Sequence, residues 1–241
     1  MRMLAFASRN RKELIRDPLS LVFGIGLPIF LLLIMTALQR NVSIAVFSLT
    51  NFTPGIAIFS FSFISLFTGM LIARDLSTSF LTRLFASPLT AADYIAGYSL
   101  PLLPIALVQS MLCFATAAAL GLKLDDNIFW TLLTLVPAAL LFIAFGLLLG
   151  TLFNDRSVGG ITSILIQVVA FTSGMWFDLG MVGGAYKAVG YALPFAHALD
   201  AAREALAGNL APVGGHLLWV LAYTLLIFAL AILAFRKKMK E

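Results

Sequence analysis

Apolar residues run through this chain in six long stretches, separated by short polar segments of unequal charge. The stretches 19–38, 54–73, 99–120, 128–153, 158–177 and 217–235 contain no Lys, Arg, Asp, Glu or His. A hydrocarbon core about 30 Å thick needs roughly 20 apolar residues of helix to cross it. Each stretch meets that length, so the pattern predicts an all-α polytopic membrane protein, a single domain over 1–241 with six transmembrane helices.

The segments outside these spans carry patterns of their own. Residues 1–18 form an amphipathic helix, with Arg2, Arg9, Lys12 and Arg16 on one face and Met3, Leu4, Ala7, Leu14 and Ile15 opposite; Phe6 and Arg11 fall off the pattern. A basic amphipathic helix beside a span is expected to lie flat at the membrane interface. Basic residues before an apolar run also resemble a signal peptide, but this run is too long for an h-region and reads as a retained span. After the second span, Leu76, Phe80, Leu81, Leu84 and Phe85 make an apolar stripe on a short helix that Ser87-Pro88 would end. Such a stripe suits docking into a partner's groove or lying in lipid. Thr90 with Asp93 makes a capping box for the helix leading into the third span.

The longest segment outside the spans, 178–216, is structured. Residues 188–199 are apolar and uncharged but too short to cross, which suits re-entrant helices, and Pro194 would break them in two. Asp200, Arg203 and Glu204 follow at helical spacing up to Gly208, readable as a surface helix with local ion pairing or as a lid at the outer end.

Charge fixes an expected topology. Twelve of the sixteen Lys and Arg lie on the side of the two termini, and the excess marks that side as cytoplasmic. The net charge of +5 then reflects topology and attraction to anionic lipid, with no nucleic-acid partner. Hydrophobic residues make up 61% of the chain and charged ones 11%, against about 25% charge in soluble domains. The single Cys113 excludes an intramolecular disulfide.

The spans differ in character. The second carries Ser60, Ser62, Ser65, Thr68 and Gly69 among Phe59, Phe61, Phe63 and Phe67; the fifth carries Gly159, Ser163, Gln167, Ala170 and Gly174 on one face. Small and hydroxylated faces allow close helix approach. Gln109 and Gln167 are amides at mid-membrane depth, where each needs a partner. Pro28, Pro101, Pro104 and Pro137 mark expected kinks. The charge-free spans lack the acidic or His relays of ion-coupled transporters. No potassium-filter sequence occurs, no Gly-Lys dipeptide supports a P-loop, and no acidic or His cluster suggests a metal. Any energy is expected from another subunit. A secondary transporter or channel, or less readily a membrane enzyme, stays open as an alternative.

In order and spacing, KELIRDPLSLVFGIGLPIFLLL (12–33), PGIAIFSFSFISLFTGMLIARD (54–75), TRLFASPLTAADYIAGY (82–98), SGMWFDLG (173–180) and LPFAHALDAAREALAG (193–208) resemble the membrane subunit of a type-2 ABC exporter. The resemblance covers essentially the whole chain. Lacking a large extracytoplasmic domain, it looks closest to compact exporters of drugs, lipo-oligosaccharides and polysaccharides.

The resemblance implies a pair of such subunits, identical or paralogous, in the inner (cytoplasmic) membrane above two cytoplasmic ATPase subunits. ATP and magnesium would sit on those partners, and no cofactor on this chain. It implies an N-terminal elbow helix. A coupling helix within 76–87 would use Leu76, Phe80, Leu81, Arg83, Leu84 and Phe85. The first, second and fifth spans would line the path, with Phe59, Ser62, Phe63, Ser163 and Gln167 as candidates. Re-entrant pieces between spans five and six would form an outer gate at Pro194, His197, Asp200 and Arg203. Relatives often carry an acidic run with a Gly-Thr pair before the coupling helix; ARDLSTSFLTRL (73–84) has Asp75 alone.

Overall fold

The computed structural model describes residues 2–16, 18, 22–41, 45–78 and 90–239. Among them there are ten α-helices and no strand. We number the helices α1 (Arg2–Arg16), α2 (Leu27–Asn41), α3 (Leu49–Ser77), α4 (Ala91–Ala119), α5 (Asn127–Leu152), α6 (Asp155–Thr172), α7 (Leu179–Val182), α8 (Gly184–Ala192), α9 (Pro194–Leu206) and α10 (Val213–Lys238). A π-helical turn, Val22–Gly26, precedes α2, so the register changes just before Pro28. Helices α4 and α5 continue through Pro101, Pro104 and Pro137.

Five helical stretches among the described residues are long and apolar enough to cross a membrane: Val22–Arg40, α3, α4, α5 and α10. Each contains most or all of a stretch expected from the sequence. The fifth expected span fits less well. Helix α6 runs only to Thr172; the backbone turns at Gly174, whose φ of +82° favours glycine. The apolar run continues past that point because Met175 is fully buried, not because the helix does. Length and apolar composition thus mark five crossings, and a sixth at α6 rests on other arguments.

Helices α3 and α5 form the centre. Their seam is made of small residues: a Cβ on Gly150 would lie 2.5 Å from the Gly69 carbonyl oxygen, and one on Gly146 2.7 Å from that of Ser65. The Ser65 hydroxyl donates across the seam to the Phe142 carbonyl. Helix α10 packs on the other side of α5, α4 flanks both central helices, and α6 packs chiefly on α3. The hydroxylated face of the second span is therefore largely a helix-packing surface.

Local signals explain several helix ends. The Thr90 side chain accepts from the Asp93 N–H and the Asp93 carboxylate accepts from the Thr90 N–H, completing the expected capping box. Asn154 caps α6 by accepting from the Ser157 N–H at 3.0 Å. Leu193 is extended and Pro194 opens α9, so the chain breaks where Pro194 predicted.

Candidate functional site

The expected path residues fall on two helices. On α3, Phe59 is half-buried and Phe63 nearly buried. Their rings meet edge to face at 5.6 Å, and Phe63 stacks on Phe23 of the π turn at 5.8 Å. Ser62 is fully buried, and its hydroxyl donates to the Phe59 carbonyl. On α6, Ser163 and Gln167 are exposed, together with Gly160, Ile164 and Phe171. The Ser163 hydroxyl is satisfied within the helix by the Gly159 carbonyl at 2.9 Å. Gln167 presents a primary amide on the same exposed, mainly apolar face as Ser163. The second amide, Gln109, is buried within α4 with its Nε2 unbonded.

The other expected end residues converge on α9. This helix is part of the core: Phe195, Ala198, Leu199, Ala202 and Leu206 are buried, and Phe195 stacks on Phe142 of α5 at 5.7 Å. Pro194 is buried at its first turn. The expected local pairing of Asp200 with Arg203 gives way to longer-range bonds. Arg203 donates to two backbone carbonyls, Asn51 at 3.1 Å and Gly174 at 3.2 Å, joining α9 to the start of α3 and the end of α6. Asp200 accepts from the Tyr191 hydroxyl at 2.8 Å, and Glu204 from the Asn209 amide at 2.7 Å. Burial and that bond to Asp200 push the Tyr191 hydroxyl up to about 12.

His197 links three elements. Its Nε2 lies 3.0 Å from the Tyr191 carbonyl, and its Nδ1 lies 2.8 Å from His216 Nδ1 on α10. A carbonyl can only accept, so His197 carries its proton on Nε2 and His216 donates through Nδ1. Burial first, and the neighbouring His216, lower the His197 pKa below its ordinary value, while the bond to the Tyr191 carbonyl and, less, Asp200 oppose the shift. Among the described residues no group of His, Cys, Asp and Glu is arranged to hold a metal.

At the opposite end, the two ends of the chain come together: Phe6 of α1 and Phe235 of α10 both contact the Tyr94 ring. Helix α1 packs along α4, and its contact face includes Phe6, Ala7 and Asn10, all buried. Phe6 fits because position 97 is glycine; a Cβ there would lie 2.5 Å from its ring. Asn10 donates to the Gly97 carbonyl at 3.3 Å. Arg9, expected on the solvated face, instead makes a bidentate pair with Asp75 at the end of α3, at 2.6 and 3.0 Å. The Tyr98 hydroxyl adds a third donor to Asp75 at 2.8 Å. Leu76, the first residue of the expected docking stripe, belongs to the last turn of α3. Phe80, Leu81, Arg83, Leu84 and Phe85 lie outside the described residues.

Sequence reasoning missed this Arg9–Asp75–Tyr98 cluster and the Phe6 anchor. The available signal was a lone acid, Asp75, at the boundary between an apolar span and a polar loop.

Residues 1–207 match the family model of the ABC-2 type transporter. No curated protein matches the chain.

Proposed function

The chain belongs to the ABC-2 type transporter family and is the transmembrane subunit of an ABC transporter, a multi-pass membrane component without an ATP site of its own; from that premise we propose that it forms the path of an exporter driven by separate cytoplasmic ATPase subunits. Two copies, or this chain and a paralogue, pair in the cytoplasmic membrane with both termini inside. Helix α6 supplies the sixth crossing. The exposed faces of α2 and α6, with Phe59 and Phe63 of α3, border the path. The pieces α7 to α9 are re-entrant and shape its outer end.

The observation that carries this reading is the uncovered face of α6, where Gln167 and Ser163 interrupt an apolar surface. An amide at that depth is stable only against another polar group or a wet path, and a paired subunit around a path offers both. A surface mixing aromatic, hydroxyl and amide groups suits an amphiphilic drug or a lipid-linked saccharide. ATP and magnesium belong to the partner, where phosphoryl transfer takes place.

Segment 76–87, with its stripe of Leu76, Phe80, Leu81, Leu84 and Phe85 beside Arg83, docks on the ATPase as an apolar helix in a groove. ATP binding moves it as a lever, and the tilt of α3 and α6 opens the path outward. The test is ATP hydrolysis by the assembled complex. Phe80→Asp or Leu84→Asp is expected to leave membrane insertion intact and abolish substrate-stimulated hydrolysis. Unchanged stimulation in a correctly inserted variant would remove the coupling assignment.

A further inference from the structure

The Arg9–Asp75–Tyr98 cluster lies outside the path, the outer end and the docking stripe. Asp75 is buried in the last turn of α3. A buried carboxylate is stable only with donors around it, and three are supplied: both terminal nitrogens of Arg9 and the Tyr98 hydroxyl. Those donors come from α1 and α4, so one carboxylate ties three helices together. Arg9 is itself steadied by Glu13, one turn along α1, at 2.7 Å.

The place of the cluster gives it meaning. The Thr78 N–H and hydroxyl both bond to the Asp75 carbonyl, at 3.4 and 3.0 Å. The chain then enters segment 79–89. Asp75 is the last fully buried residue of α3. Apolar contacts can slide, but drawing half-buried Arg9 away strips the buried Asp75 carboxylate of two donors, so the pair resists separation. Around it, Phe6 is wedged edge to face against Tyr94 at 5.8 Å and Tyr98 at 4.8 Å, so α1 cannot pivot freely about Arg9.

We infer that Arg9, Asp75 and Tyr98 are positioning residues that carry displacement of the 76–87 segment into α1 and α4 instead of letting it dissipate at the end of α3. This rests on the coupling role proposed above for that segment. It makes the N-terminal helix a moving part of the transport cycle, beyond an anchor in lipid.

The experiment uses the full chain in its complex with the ATPase. Spin labels are placed at exposed Ser77 and, separately, at exposed Lys12 on α1, each with a reference label at exposed Leu210. Distances are measured without nucleotide and after trapping with ATP and vanadate. In the unmodified chain both labels are expected to shift. With Arg9→Gln or Asp75→Asn, the Ser77 label still shifts while the Lys12 shift falls by about half or more. The double variant, which replaces the ion pair by two amides able to bond each other, restores much of it. Where a single variant fails to assemble, Arg9→Lys, which keeps the charge and loses the bidentate geometry, takes its place and is expected to weaken the Lys12 shift.

A Lys12 shift unchanged in the single variants, with Ser77 still moving, would overturn the inference. A Ser77 label that stays still in the unmodified chain would overturn the coupling role of the 76–87 segment, and the inference with it.

Discussion

At the scale of single residues, His197 carries a consequence that its position alone would not. It holds one proton toward the Tyr191 carbonyl and shares one with His216. A second proton, on the His197 Nδ1, would face the Nδ1–H of His216, and burial disfavours the added charge. Lys187, over the Tyr191 ring at 5.9 Å, adds positive charge nearby, and Asp200 is the acid that opposes it. The folded pKa is depressed, so at acid pH the unfolded chain binds more protons. The stabilisation from this pair is present above the ordinary His value, about 6.5, and is lost as pH falls through the lowered folded value. Thermal unfolding of the purified protein is expected to move to lower temperature between about pH 8 and pH 5.5. His197→Gln should flatten that slope; an identical slope in the variant would exclude His197 as its source.

At the scale of helices, the α3–α5 seam decides how close the two central elements come. A Cβ at position 150 meets Gly69 backbone atoms at 2.5 and 2.8 Å, which cannot rotate away. Gly150→Ala should therefore force α3 and α5 apart and destabilise the subunit by about 1–3 kcal/mol, read as a lower melting temperature in detergent. Gly159→Ala, with nothing within 4 Å of the added Cβ, should leave melting nearly unchanged or slightly raised, since alanine favours helix. Equal effects of the two substitutions would contradict the packing assignment. What the sequence could reveal about these elements follows from the range of the forces involved. Helix length, the Thr90–Asp93 box and the break at Pro194 are set by neighbours along the chain, and each was legible. The end of α6 was not, because Met175 is apolar for burial against Gly55 while Gly174 has already turned the backbone. Periodicity placed Arg9 with the solvated cations and left Phe6 off the apolar stripe. Their partners, Asp75 and Gly97, lie far along the chain, and no local rule connects them. Arg203 was singled out as an end residue, but its acceptors are the backbone carbonyls of Asn51 and Gly174, which carry no side-chain signal.

At the scale of the whole molecule, the subunit is held unevenly. Its centre, α3 with α5 and the buried α9, is closely packed. Helix α6 leans mainly on α3, and the Val22–Arg40 stretch is mostly uncovered. Helix α10 also leaves much of its apolar surface uncovered, so a firm centre is ringed by apolar faces for lipid or a second subunit to cover. The end that gathers α1 and the last turns of α10 also gathers the Arg9–Asp75–Tyr98 cluster and the end of α3. The opposite end gathers the Arg203 and His197 bonds. Force applied at one end thus has a continuous helical route through α3 to Asn51 at the other. The most direct test of this account is affinity purification of the tagged chain from its native membrane, with the copurifying subunits identified by mass spectrometry and assayed for ATP hydrolysis. The account predicts a stoichiometric ABC ATPase and hydrolysis that disappears when Leu84 is made acidic. A pure, folded preparation with no ATPase and no hydrolysis would contradict it and leave a transporter or channel that works alone.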